Sequence, residues 1–226
     1  MSTAPDRFAR AFGDWTPRAV VFDCDGLLLD TESVWQRAQD TVVAARGAVL
    51  DPEDDAVLHG STIEVAAELI ARRSGHTEAE VLADLHREFD HELSGAVRTL
   101  PGAAEVLRAA AAARVPLGCA SNSWLEALDH KLVAGGLREH FTVLEASDTV
   151  ENPKPAPDMY AAAARALGQR PEDCLALEDS GTGARAARDA GLRLIAVPAP
   201  GHPVPPADLA LTSLTDPELA AWIATW

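Results

Sequence analysis

The stretch VVFDCDGLLLDTES, Val20–Ser33, sets two carboxylates two residues apart at the end of an apolar run. Val20, Val21 and Phe22 are residue types of a strand buried on both faces. Side chains alternate along an extended chain, so Asp23 and Asp25 project to one side and Cys24 to the other. In a parallel sheet, ligands collect outside the carboxyl ends of the strands, where this order puts Asp23. Gly26 follows at once and allows a backbone conformation or close approach that a side chain would block. Two like charges this near repel unless a proton or a cation is shared between them. A hard dication such as Mg²⁺ takes carboxylate and carbonyl oxygens, with water and phosphate completing its shell. Taken alone, Asp23 is equally a strand-end carboxylate satisfied by a helix N-terminus, so the rest of the chain must decide.

Outward from this stretch, short β-branched or Leu-rich runs alternate with longer Ala-rich helical patterns, the signature of a parallel sheet covered on both faces. Strands are predicted over AVVFD (19–23), PLGCAS (116–121), FTVLEA (141–146), CLALED (174–179) and LRLIAVP (192–198). Helical spacing falls at about 103–113, 124–134, 157–167 and 182–190, with Gly191 as a C-terminal cap. From Val34 to Arg98 the pattern is helix after helix with no strand. The expected organisation is a catalytic core of 1–33 and 98–226 with a helical domain inserted at 34–97, LPGA (100–103) marking the return. VPAPGHPVPP (197–206) reads as an ordered surface loop, and TDPELAAWIATW (215–226) as a last helix capped by Thr215, with Trp222 packed on the core. The class is α/β: a Rossmann-like parallel sheet with helices on both faces and an inserted helical domain.

Of the 226 residues, 47% are hydrophobic and 24% charged, enough for a substantial core. No apolar run approaches the ~18 residues of a spanning helix, and the N-terminal segment lacks the apolar centre of a secretory signal. A soluble cytoplasmic protein without a membrane partner is expected. The 35 acidic against 19 basic residues leave a formal charge of −16, which repels a phosphate backbone and argues against nucleic acid. Cys24, Cys119 and Cys174 lie in apolar strand-like runs, away from metal-ligand spacing, and read as buried reduced thiols.

Other strand ends carry groups that complement two acids. ASNS (120–123) opens a helix, so the Ser121 hydroxyl and nearby N–H groups form an anion site, although each serine alone would be a helix cap. LEDSGTG (177–183) delivers Glu178 and Asp179. In NPKPAPDMY (152–160), Lys154 stands between prolines that limit where it can point.

In this order, FDCDGLLLDTE, ASNS, KPAPDMY and LEDSGTG resemble the four motifs of the haloacid dehalogenase-like hydrolases, over essentially the whole chain. The insertion resembles the helical cap of the branch holding phosphoglycolate, sugar-phosphate and hexitol phosphatases and β-phosphoglucomutases. The resemblance implies an Mg²⁺-dependent phosphatase acting on a small phosphorylated metabolite through an aspartyl-phosphate, as a monomer or weak dimer. Carried over by position, it makes Asp23 the nucleophile and Asp25 the general acid/base. Metal ligation falls to Asp23, the Asp25 carbonyl, Asp179 and, directly or through water, Glu178. Ser121, Asn122 and Lys154 would hold the transferring phosphoryl oxygens. In the cap, Trp35 and His59 are candidates to contact substrate, with Ser61, Thr62, Arg72 and His76 beside them. Ile63 falls where the mutases resemble this chain but carry a phosphate-binding arginine, and Trp35 falls near their histidine, departures that favour hydrolysis over mutation. A non-catalytic sensor of a phosphorylated metabolite is the reading from another class.

Overall fold

A computed structural model describes residues 6–58, 61–95 and 97–226. Its contacts divide the chain into two compact units, Met1–Leu29 with Arg98–Trp226, and Asp30–Val97.

The first unit is built on six parallel strands in the order β3-β2-β1-β4-β5-β6. The strands are β1 (Ala19–Phe22), β2 (Leu117–Ala120), β3 (Val143–Glu145), β4 (Cys174–Glu178), β5 (Arg193–Ala196) and β6 (Leu209–Ala210). Connections from β1 run one way to β2 and β3, whereas β4, β5 and β6 lie on the other side, so the direction of winding reverses between β1 and β4. Such a switch point opens a crevice at the carboxyl edge of the sheet. Register places Phe22 beside Cys119 and beside Leu177, which aligns the ends of the three central strands.

Backbone bonds continue the ladder past those ends. Asp23 N donates to Leu177 O at 3.0 Å, Ser121 N to Glu145 O at 3.0 Å, and Val197 N to Glu178 O at 2.7 Å. The residues just beyond the strands are therefore as fixed as the strands themselves. One face of the sheet packs Val21, Ala120, Ala176 and Leu194 against α8 (Asp158–Ala166) and α9 (Gly181–Asp189) through Met159, Ala163, Ala184 and Ala187. On strand alternation Phe22 faces the other way, where it meets Phe141 edge to face at 6.2 Å. The helices α6 (Ala103–Ala112) and α7 (Leu125–Ala134) complete the links around β2.

At the termini, α1 (Asp6–Phe12) and α10 (Pro217–Ile223) close the unit: Trp222 stacks on Phe8 and Phe12 at 4.9 and 4.8 Å, and Arg7 pairs with Asp216 and Glu218. Two details differ from the sequence reading. The cap of α10 is Asp216, whose carboxylate accepts from Glu218 N and also pairs with Arg7, so Thr215 stands outside the helix. The two-residue β6 and the seven-residue α1 were not anticipated, being too short for periodicity to register.

The second unit is helical: α2 (Thr31–Arg46), α3 (Pro52–Leu58), α4 (Ile63–Ser74) and α5 (Glu78–Ser94). Val42, Leu58, Ala67, Ile70, Val81 and Leu85 form its buried core. Asp30 caps α2, Gly47 ends it in the left-handed conformation, and Thr77 with Glu80 makes a capping box on α5. Among the described residues no helix is long and apolar enough to cross a membrane.

Candidate active site

Three strand ends deliver the candidate residues, and each is oriented by identifiable partners. After β1, Gly26 takes φ +80° and its N–H donates to Leu29 O, while Leu28 and Leu29 both donate to Cys24 O. A side chain at Gly26 would put its Cβ 2.3 Å from Asp179 Oδ2, so glycine is required both by the turn and by the carboxylate beside it. Leu27, Leu28 and Leu29 are buried and anchor the loop beneath the acids.

Asp23 and Asp25 part company here. Asp23 is buried, and its Oδ1 lies 2.5 Å from Lys154 Nζ. The Asp25 carboxylate turns instead toward β2 and α7: Ser121 Oγ donates to Oδ2 at 2.7 Å and Lys131 Nζ to Oδ1 at 2.5 Å. Among the described residues, the acids able to share an ion are Asp23, Glu178 and Asp179, one oxygen of each lying within 4.8 Å of the others. The Asp25 side chain is not one of that group, which leaves its backbone carbonyl as the means of ligation anticipated from the sequence.

Lys154 is the buried cation opposite. Besides Asp23 it donates to Glu178 Oε1 at 2.6 Å and to Ala120 O at 2.8 Å, using its three N–H bonds in a fixed direction. Burial pulls the ammonium pKa down, but the charges of Asp23 and Glu178 more than offset this and hold it above the ordinary lysine value. Its loop contains a cis Lys154–Pro155 peptide bond and is clamped by Asn122, whose amide donates to Lys154 O and accepts from Lys154 N, both at 3.0 Å. The Asn122 side chain is thus engaged by the Lys154 peptide through its oxygen and one N–H, which leaves its second amide N–H and its main-chain N–H to offer a phosphoryl oxygen.

Glu178 is fully buried and saturated. Oε1 accepts from Lys154 and, at 2.6 Å, from the Tyr160 hydroxyl; Oε2 accepts from Ser180 Oγ at 3.1 Å and Ser180 N at 3.4 Å. A Cβ on Gly183 would sit 1.8 Å from Oε1, so the carboxylate lies directly on the first turn of α9. Asp179 is less enclosed, and burial together with the Glu178 charge pushes its carboxyl up to about 7. Burial, and secondarily the neighbouring acids, likewise raise Asp23 well above the usual carboxylate range against the pull of Lys154. Negative charge is thus in excess at Asp23 and Asp179, the electrostatic condition a divalent cation relieves. These two side chains fit direct ligation of a hard cation, while Glu178, with four donors already on it, fits an outer position that holds Lys154.

Ser121 is not a helix cap: α7 starts at Leu125, and Asp148 Oδ1 accepts from Leu125 N at 2.8 Å. Its hydroxyl instead accepts from Ser123 N at 3.1 Å while donating to Asp25. Two residues of this cluster were missed. Tyr160 was absorbed into the helical pattern, and Lys131 was passed over, although it stands three residues after the buried Leu128 and therefore on the inward stripe of α7. That position was the available signal.

Among the candidates in the helical unit, Trp35 donates its indole N–H to Ser61 O at 3.2 Å and meets Phe89 edge to face at 5.6 Å. Those contacts hold the half-buried ring in place within that unit. Ser61 Oγ donates to Leu58 O, Arg72 is an exposed partner of Asp54 and His76 is exposed on a loop. His59 lies outside the described residues. The thiols are all free and buried; a hydrogen bond to Cys119 and then burial hold Cys24 well above the usual thiol range, so it is a poor thiolate.

Comparison with known proteins gives the geometry a lineage. The chain is 33% identical over 212 residues to hexitol phosphatase B of Escherichia coli, covering 89% of this chain and 96% of that protein. It is 36% identical over 194 residues to the protein CbbY of Rhodobacter capsulatus, with 80% and 85% covered. The crystal structure of a hydrolase from Deinococcus radiodurans with bound phosphate and sodium superposes with a TM-score of 0.73 at 33% identity, covering 89% of this chain and 93% of that one. Residues 17–191, which include the ends of β1, β2 and β4 that carry the site, match the model of the haloacid dehalogenase-like hydrolases, and the chain belongs to that family.

Proposed function

We propose that this hydrolase is an Mg²⁺-dependent phosphatase that releases inorganic phosphate from a small sugar, polyol or glycolate phosphate through an aspartyl-phosphate on Asp23. The observation that carries the reading is the buried Asp23, facing Lys154 at 2.5 Å with Asp179 close enough to share a cation. When bound, the cation neutralises charge on the phosphoryl group and on Asp23 and so permits their approach. Asp23 and Asp179 hold it. Asp23 then attacks phosphorus in line beside the Lys154 charge, and the N–H groups of Asn122, with the Ser121 hydroxyl turned from Asp25 to the substrate, take charge from the phosphoryl oxygens. Asp25 protonates the departing alkoxide and later removes a proton from the water that hydrolyses the acyl phosphate. Asp30–Val97 serves as a cap that supplies substrate selection. Three free, buried cysteines support a reducing cytoplasmic setting, and the hexitol phosphatase relative supports the substrate class. Ile63 packs on the helical core and carries no charge, which favours hydrolysis over a mutase that must hold a second phosphate.

Initial rates over a panel of sugar, polyol and glycolate phosphates test the proposal. Phosphate release that EDTA abolishes is expected, with discrimination of at least tenfold among substrates, about 1.4 kcal/mol. Isomerisation of a sugar phosphate without phosphate release would establish the mutase; binding without turnover of any substrate would establish the sensor.

The metal assignment has a second readout. An acid raised in the folded state keeps a proton that the unfolded chain has lost, so its stability contribution is present at low pH and falls as pH rises. For Asp179 the window runs from about 3.8 to about 7. Mg²⁺ binds the ionised site and offsets that loss. The melting temperature in Mg²⁺ minus that in EDTA should therefore be several degrees larger at pH 8 than at pH 5.5, and a difference independent of pH would reject ligation by Asp179.

A further inference from the structure

Lys131 is 2% exposed, on a helix whose other inward residues, Leu128 and Leu132, are apolar. A lysine in such a stripe loses hydration unless something at the end of its stem repays it. What it meets is Asp25: Nζ lies 2.5 Å from Oδ1 and 2.6 Å from Ser123 Oγ, and Ser123 Oγ in turn lies 3.4 Å from Asp25 Oδ2. Ser121 holds Oδ2 at 2.7 Å from the opposite direction, and Ser123 N fixes the Ser121 hydroxyl at 3.1 Å. The two oxygens of one carboxylate are thus gripped by separate donors, one of them at the end of a stem rooted in α7. Holding both oxygens fixes both side-chain torsions of Asp25, and a proton-transferring group misplaced by an ångström loses much of its effect.

We propose that Lys131 is a positioning residue for Asp25: it sets the place and orientation of that carboxylate and touches neither phosphate nor metal. The proposal rests on the phosphatase reading, in which Asp25 moves the proton. A purely structural lysine would matter for stability alone. Loss of positioning would instead lower kcat and leave binding of the phosphate untouched. Because the Asp25 side chain is 34% exposed, its charge stays solvated when Lys131 is removed, and Lys131→Met substitutes a stem of similar length in an apolar stripe.

The experiment is steady-state hydrolysis of p-nitrophenyl phosphate with Mg²⁺ by the parent, Lys131→Met, Asp25→Asn and the double variant, with melting temperatures. The expected result is a 10- to 100-fold fall in kcat for Lys131→Met, KM within twofold, and less than twofold further loss when the substitution is added to Asp25→Asn. A kcat within twofold of the parent overturns the proposal. So does an equal loss in the Asp25→Asn background, which would show that Lys131 acts elsewhere. If Lys131→Met fails to fold, Lys131→Gln, which keeps a hydrogen-bond donor, carries the same comparison. A parent without Mg²⁺-dependent activity refutes the phosphatase reading itself and removes this inference with it.

Discussion

Asp23→Asn is expected to lower Mg²⁺-dependent turnover by at least about 10⁴-fold, the scale of loss when a covalent nucleophile is removed, without unfolding the protein. The two halves of this expectation come from the same surroundings. An amide is a poor nucleophile and cannot form the acyl phosphate, so nothing else at the end of β1 replaces the chemistry. Burial and the acids around it already disfavour the charged form of Asp23, so a neutral side chain of the same shape removes repulsion as well as attraction. Lys154 keeps Glu178 at 2.6 Å and Ala120 O at 2.8 Å, and is not stranded. The melting temperature in EDTA should stay within a few degrees of the parent's, while the stabilisation by Mg²⁺ shrinks because one ligand has lost its charge. Rates of phosphate release together with melting curves check both halves. Turnover within tenfold of the parent would remove Asp23 from the role of nucleophile, whatever became of the metal.

Much of this was legible in the sequence because strand ends are where backbone rules and chemistry coincide. The apolar runs ending at Asp23, Ser121 and Glu178 could be read as parallel strands, and parallel strands gather their carboxyl ends in one place. The charge pattern of two acids, a lysine between prolines and two further acids then resembled one family at four ordered places. What stayed hidden depends on side-chain direction. That Asp25 turns toward Lys131 while Asp23 turns toward Lys154 follows from the tight loop at Gly26, not from strand alternation, because β1 ends at Phe22. That the Asn122 amide also clamps the Lys154 peptide, 32 positions away, could not be read from the sequence. Trp35 was read as a substrate contact, and its ring partner Phe89, on another helix, was not visible. Such contacts between distant residues leave no local mark.

Lys154→Met should disable and destabilise the enzyme together, unlike Asp23→Asn. The Lys154 side chain is 4% exposed, and its ammonium stands between carboxylates whose side chains are 10% and 0% exposed. Removing the shared partner of a buried ion cluster leaves uncompensated charge in a medium of low polarity, which costs about 3–5 kcal/mol. For a chain of this size that corresponds to a melting temperature lower by roughly 6–20 °C in EDTA. Glu178 bears most of it, since Tyr160 and Ser180 can bond its oxygens but cannot cancel its charge. Adding Glu178→Gln to Lys154→Met should recover part of the stability, as the charge left unpaired is removed, yet no activity should return, because the phosphoryl oxygens still lack their cation. Stability that drops by the sum of the two single losses would mean that Lys154 and Glu178 act independently, and would contradict the buried cluster on which the arrangement of the site depends.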